Sequence, residues 1–77
     1  MEPAQAFGIV VRRLRQEASM TQEELGFEVD LRRTYVSILE LGQQQPSLST
    51  ILKISSALKI SARELIAHVE DELKQPD

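Results

Sequence analysis

The sequence predicts an all-α fold, a compact bundle of five helices, and three observations carry that expectation. No segment alternates apolar and polar residues with period two over a useful length, so no strand pattern is present. Two stretches share one helix-start signature: Thr21 stands three residues before Glu24, and Ser61 three before Glu64. Each pair is flanked by apolar residues, Met20 with Leu25 and Ile60 with Leu65, that can staple the entry of the chain. Elsewhere apolar residues recur at helical spacing, separated by short polar breaks.

The elements follow in order. The first helix begins after Pro3 and carries Phe7, Val11, Leu14 and Ala18 on one face, with Arg12, Arg13 and Arg15 on the other. The second begins at Thr21. It contains Gly26, a poor helix former, expected where another helix approaches closely. The third lies within RRTYVSILELG, from Arg32 to Gly42, and the glycine ends it. GQQQP is a polar loop, and Pro46 with Ser47 starts the fourth helix. There Leu48, Ile51, Leu52, Ile54 and Leu58 cover a wide arc, which predicts a well-buried helix. The fifth starts at Ser61, and its stripe of Leu65, Ile66, Val69 and Leu73 runs almost to the end of the chain.

At 77 residues the chain is one domain, 1–77, of a size that association often supplements. Aromatic residues make up 4% and hydrophobic ones 42%, so the core must be aliphatic. The absence of cysteine rules out disulfides and thiolate metal sites and fits a reducing cytoplasm. Apolar stretches fall far short of the roughly 20 residues of a membrane span. No basic-then-apolar signal segment opens the chain, and no internal repeat runs through it. The balance of 9 Lys+Arg against 12 Asp+Glu gives a net charge of −3, contrary to the usual basic footprint of a nucleic-acid binder. Net charge is a sum, however, and binding depends on where the charges sit.

The third helix has one apolar stripe more than a small surface helix needs. Val36 and Leu39, with Leu31 entering below them, supply a core face, while Thr34, Ile38 and Leu41 form a second stripe with Arg32 and Arg33 at its head. The second helix ends near Val29, a turn covers roughly 29–31, and the third starts at Arg32 or Arg33, which is helix-turn-helix spacing. Such a second helix fits the major groove of double-stranded DNA and shows its N-terminal residues to base edges. The amide-rich start of the first helix of the motif can hold a phosphate.

With these pieces in order, the chain resembles the lambda-repressor/Cro-type (XRE-like) helix-turn-helix family. The likeness rests on FGIVVRRLR, MTQEELG, RRTYVSILELG and PSLSTILKISSALKIS, covers roughly residues 6–67, and needs no gap. RRTYVS and the short chain look particularly like restriction–modification controller proteins. The resemblance implies a regulator of transcription that binds a pseudo-palindromic operator as a dimer, with the motif at about 21–41. Gln22 matches the residue that opens the motif and grips a phosphate. Arg33, Thr34, Ser37 and Ile38 match positions facing bases or the neighbouring backbone, with Arg32 at their head and Tyr35 at their edge. Gln43 and Gln44 match a loop that touches phosphates. Arg15 and Glu40 match an ion pair, shielded from water, that joins the first and third helices.

Departures from the family pattern set further expectations. Asp30 stands where many members have glycine in the turn, and aspartate tolerates a left-handed backbone better than most residues. Arg32 occupies the place of a small capping residue. Leu41, Gln43 and Gln44 replace cations, so fewer counterions are released and binding should be weaker and less salt-sensitive than in a basic relative.

Structural readings stand beside these. Arg32 and Arg33 could be a solvated pair, and Tyr35 a core-edge aromatic. Ile38 and Leu41 could form a protein–protein patch, although Leu41 is read as packing under the loop. His68 is the only histidine and has no partner set for a metal or for catalysis. Glu23 and Glu24 suit the positive end of a helix and are not a catalytic pair. No enzyme constellation, cofactor site, metal site or small-molecule ligand is expected. The alternative function is a protein-interaction module, antitoxin-like or an adaptor, which the apolar Phe27, Ile38 and Leu41 keep open. A homodimer is expected through segment 61–74, with Ile66, Val69 and Leu73 near its axis and the acidic run 70–72 at the rim. Two-fold contacts are the commonest way to pair reading helices.

Overall fold

The computed structural model describes residues 1–75. Five helices follow one another: α1 Pro3–Glu17, α2 Gln22–Val29, α3 Arg33–Glu40, α4 Leu48–Ala57 and α5 Ala62–Leu73. Among the described residues there is no strand, in agreement with the expected all-α bundle. No helix among them is long and apolar enough to cross a membrane. The molecule measures 33 × 23 × 23 Å. Helix α1 packs against both α3 and α5, α2 against α3 and α4, and α4 against α5.

The starts of the helices are where the sequence places them. Thr21 Oγ1 accepts from the Glu24 amide at 3.0 Å while Glu24 Oε1 accepts from the Thr21 amide at 2.8 Å. Ser61 and Glu64 repeat this exchange at 3.0 and 3.2 Å. Ser47 caps α4 through the Thr50 amide at 3.1 Å. Each cap satisfies amides that the first helical turn leaves without a partner.

The ends of the first four helices share one geometry. Met20, Leu31, Gln43 and Ile60 each donate a backbone N–H to the carbonyl five residues earlier, on Arg15, Gly26, Ile38 and Ser55. The residue before each donor is left-handed: Ser19 at φ 58°, Asp30 at 57°, Gly42 at 72° and Lys59 at 61°. This is the Schellman closure, which returns orphan carbonyls to the chain. Three of its donors, Met20, Leu31 and Ile60, lay their side chains against the core.

Ala6, Phe7, Val10, Val11, Leu25, Val29, Val36, Leu39, Ile54, Leu58, Leu65 and Val69 form that core. Two glycines shape it. A Cβ on Gly8 would lie 2.5 Å from the carbonyl oxygens of both Leu39 and Glu40, so α1 and the end of α3 touch backbone to backbone. A Cβ on Gly26 would meet the Leu31 carbonyl oxygen, also at 2.5 Å. The neighbour of Gly26 is thus the turn of its own motif, not the helix expected from sequence.

Two further expectations are corrected. Helix α4 is not buried all round: Ile54 and Leu58 point inward, while Leu48 is 72% and Leu52 51% exposed. Its apolar arc is wider than the surface that α2 and α5 can cover. Val69, expected beside Ile66 at a two-fold axis, lies inside the single chain at 7% exposure, packed with the core. Its apolar character is accounted for without a second copy. Ile66 and Leu73 remain 39% and 37% exposed.

Candidate nucleic-acid interface

Helices α2 and α3 pack against each other across a turn of three residues, 30–32. Asp30 adopts the left-handed conformation that the turn requires, at φ 57° and ψ 43°. Arg32 is the N-cap residue of α3 and makes no side-chain cap, so its guanidinium is not spent on the helix start. Val36 and Leu39 fasten α3 to the core, and the opposite side of the helix faces outward.

On that outward side Arg32, Arg33 and Thr34 are exposed, and Ser37 and Ile38 are half-buried. Tyr35 is half-buried and packs against the core, which is the core-edge position weighed for it. Gln43 and Gln44 are exposed in the loop after α3. Leu41 does not pack under this loop. It is 62% exposed and borders a hollow with Met1, Gln5 and Ile9 of the N-terminal segment. It stays outside because Gly42, the next residue, is the one pressed against α1 at Gln5.

A cleft runs beside the head of α2, lined by Arg12, Thr21, Gln22, Glu23 and Arg33 among others. Arg12 was not singled out from sequence, where it reads as one more cation on the solvent side of α1. The fold brings it beside Gln22 and Arg33, and no short motif signals that proximity. Neither Arg12 nor Arg33 has an ion-pair partner among the described residues. Arg13 differs, since its Nη1 lies 3.0 Å from Glu72 on α5.

Beneath the cleft sits the ion pair expected between the first and third helices. Arg15 Nε and Nη2 donate to Glu40 Oε2 and Oε1 at 2.7 and 3.0 Å, a two-point contact of matched planes. The side chains are only 10% and 3% exposed. Arg15 Nη1 donates in addition to the Met20 carbonyl at 2.7 Å, which ties the α1–α2 turn to the pair. The hydrogen bond to Glu40 raises the Arg15 pKa against the opposing effect of burial. Gln22 Nε2 donates to Glu40 Oε1 at 3.1 Å. No buried side-chain nitrogen or oxygen among the described residues lacks a partner.

Two short helices at this spacing, an exposed second helix headed by arginines and a cationic cleft at the head of the first define a helix-turn-helix protein. Residues 11–65 match the helix-turn-helix family model, and the chain belongs to that family. It is similar to the control protein C.BamHI of Bacillus amyloliquefaciens, with 46% identity over 61 residues, 78% of this chain and 75% of that one. The crystal structure of the restriction–modification controller protein C.AhdI from Aeromonas hydrophila superposes with a TM-score of 0.78 at 44% identity, covering 80% of this chain and 94% of that one. The controller protein C.Esp1396I, solved as a tetramer with its natural 35 base-pair operator, shares the fold with a TM-score of 0.88 at 24% identity, over 97% of this chain and 99% of that one.

Proposed function

We propose that this chain is a sequence-specific DNA-binding regulator of transcription, of the restriction–modification controller kind. It binds a pseudo-palindromic operator as a homodimer and places α3 in the major groove. The observation that carries this reading is the company Arg33 keeps. It heads the outward face of α3 and also borders the cleft of Arg12 and Gln22, so one bound duplex can meet a base reader and two phosphate contacts together. The control and controller proteins among the relatives support the same assignment.

The net charge of −3 is spread over the molecule: Glu23, Glu24, Glu28 and Asp30 are exposed on α2 and its turn, and other acids lie away from the motif. Glu64, Glu70 and Asp71 are exposed on α5, a helix that does not take part in the motif. The protein acts by binding and not by catalysis, in the cytoplasm, without cofactor or small-molecule ligand. Footprinting on DNA upstream of its own gene, at low and at moderate salt, tests the reading. A short two-fold protected site that weakens as salt rises is the expected result. No saturable binding even at low salt would remove the reading and leave the surface to protein contacts.

A further inference from the structure

The hydrogen bond from Gln22 to Glu40 joins two features that the resemblance keeps apart, a phosphate contact and a structural ion pair. Glu40 Oε1 accepts from Arg15 Nη2 at 3.0 Å and from Gln22 Nε2 at 3.1 Å. An ionised carboxylate can only accept, so the end of the Gln22 side chain that faces it must be the amide nitrogen. That nitrogen carries a second hydrogen. Gln22 is half-buried and lines the cleft with Arg12 and Arg33, and the second N–H is the donor left for that side.

A phosphate, like a carboxylate, only accepts. A glutamine free to turn its amide over can offer a phosphate the wrong end, and fixing it on binding costs side-chain entropy. Here the choice is made before DNA arrives. The carboxylate that chooses cannot move, because Arg15 grips it at two points and is itself anchored to the Met20 carbonyl.

Resting on the DNA-binding reading above, we propose that Glu40 is a positioning residue for the Gln22 phosphate contact. The amide nitrogen of Gln22 spans two acceptors, a buried carboxylate behind it and a DNA phosphate in front. The ion pair between α1 and α3 thereby preorganises a contact made from α2. A purely structural pair would stabilise the fold and leave Gln22 indifferent to its presence.

A double-mutant cycle on operator affinity separates the two roles. Gln22→Ala is compared in the wild type and in the Arg15→Met/Glu40→Leu background, which replaces the pair by apolar side chains. In the wild type the substitution should weaken operator binding about three- to tenfold, as expected for one hydrogen bond. In the background without the pair, folded by circular dichroism, it should weaken binding by less than about twofold, because a Gln22 amide that is no longer preorganised contributes less to binding. Equal losses in both backgrounds would overturn the proposal.

The free wild-type protein gives an independent reading by NMR. The Gln22 side-chain amide should be rigid, with one proton shifted downfield, while the exposed Gln43 and Gln44 amides average freely. Identical relaxation of all three would overturn the proposal even if the apolar background failed to fold. Absence of operator binding by the wild type would remove the DNA-binding reading, and with it the phosphate half of this proposal, whatever the state of the amide.

Discussion

Glu40 is the residue on which most depends. Its carboxylate is 3% exposed and carries three hydrogen bonds, two from Arg15 and one from Gln22. Removing it leaves a buried guanidinium without its counter-charge. Glu40→Ala should therefore lower stability by about 3–5 kcal/mol, read as a large fall in the midpoint of thermal or urea unfolding. Arg15→Met/Glu40→Leu should recover much of that loss, since no charge is then stranded. The two free arginines of the cleft should separate by role. Arg33→Ala should cost about 1–3 kcal/mol of operator affinity and relax the preference at one guanine, whereas Arg12→Ala should weaken all sequences alike and reduce the salt slope by about one. Competition binding with single-base operator variants distinguishes them. The pairing of Arg15 with Glu40 was legible in the sequence through the family likeness, and so was the exposure of Arg32, Arg33 and Thr34. The approach of Arg12 was not, because only the packing of α1 against α3 and of α3 against α2 brings it to the cleft.

At the scale of elements, the starts of helices were far easier to read than their ends. A capping box is a relation between residues three apart, so Thr21–Glu24 and Ser61–Glu64 show themselves in the bare sequence. The Schellman ends need a left-handed residue, and only at Gly42 is that residue the one that signals it. Asp30 was recognisable against the family pattern, but Ser19 and Lys59 were not, since nothing about either residue favours a positive φ. Lys59 should accordingly be improvable. Lys59→Gly relieves the left-handed side chain and should stabilise the fold by about 0.5–1 kcal/mol in chemical denaturation. Gly8 is the opposite case. Alanine is the better helix former by about 1 kcal/mol, yet its methyl group would fall on two carbonyl oxygens of α3. Gly8→Ala should thus destabilise, by about 1–3 kcal/mol, as overpacking does. A rise in the unfolding midpoint would show that α1 can move off α3 at no cost. The wide apolar arc of α4 was misread for a related reason. Counting Leu48 and Leu52 says how much surface needs cover, not whether a neighbour reaches it.

At the scale of the whole molecule, the question is which apolar surface a second copy would cover. Val69 is needed by the single chain, so Val69→Asp should unfold it and says nothing about assembly. Ile66 is the discriminating position. It stands on the same helix one turn earlier, and it remains partly exposed. Ile66→Asp should leave the helical circular dichroism unchanged and halve the mass measured by sedimentation. Operator affinity should fall with it, and its steep dependence on protein concentration should flatten. An unchanged mass in the folded variant would exclude Ile66 from any dimer contact. Periodicity could not separate these two residues, because both lie on the stripe and the core is only wide enough for one of them.

Gly8 gives the molecule a property that belongs to measurement more than to stability. At Gly8 the backbones of α1 and the end of α3 meet directly, the Arg15–Glu40 pair ties the same two helices, and α5 also packs against α1. Close-packed interiors pass a displacement on and do not absorb it. In a dimer joined through α5, the gap between the two recognition helices is then fixed by joints without slack, from α5 through α1 to α3 and back. Such a pair is a caliper locked at one opening. It grips half-sites about one helical turn apart, roughly 34 Å. An operator lengthened by a single base pair presents its second half both farther away and turned to another side, and the caliper has no loose joint with which to follow it.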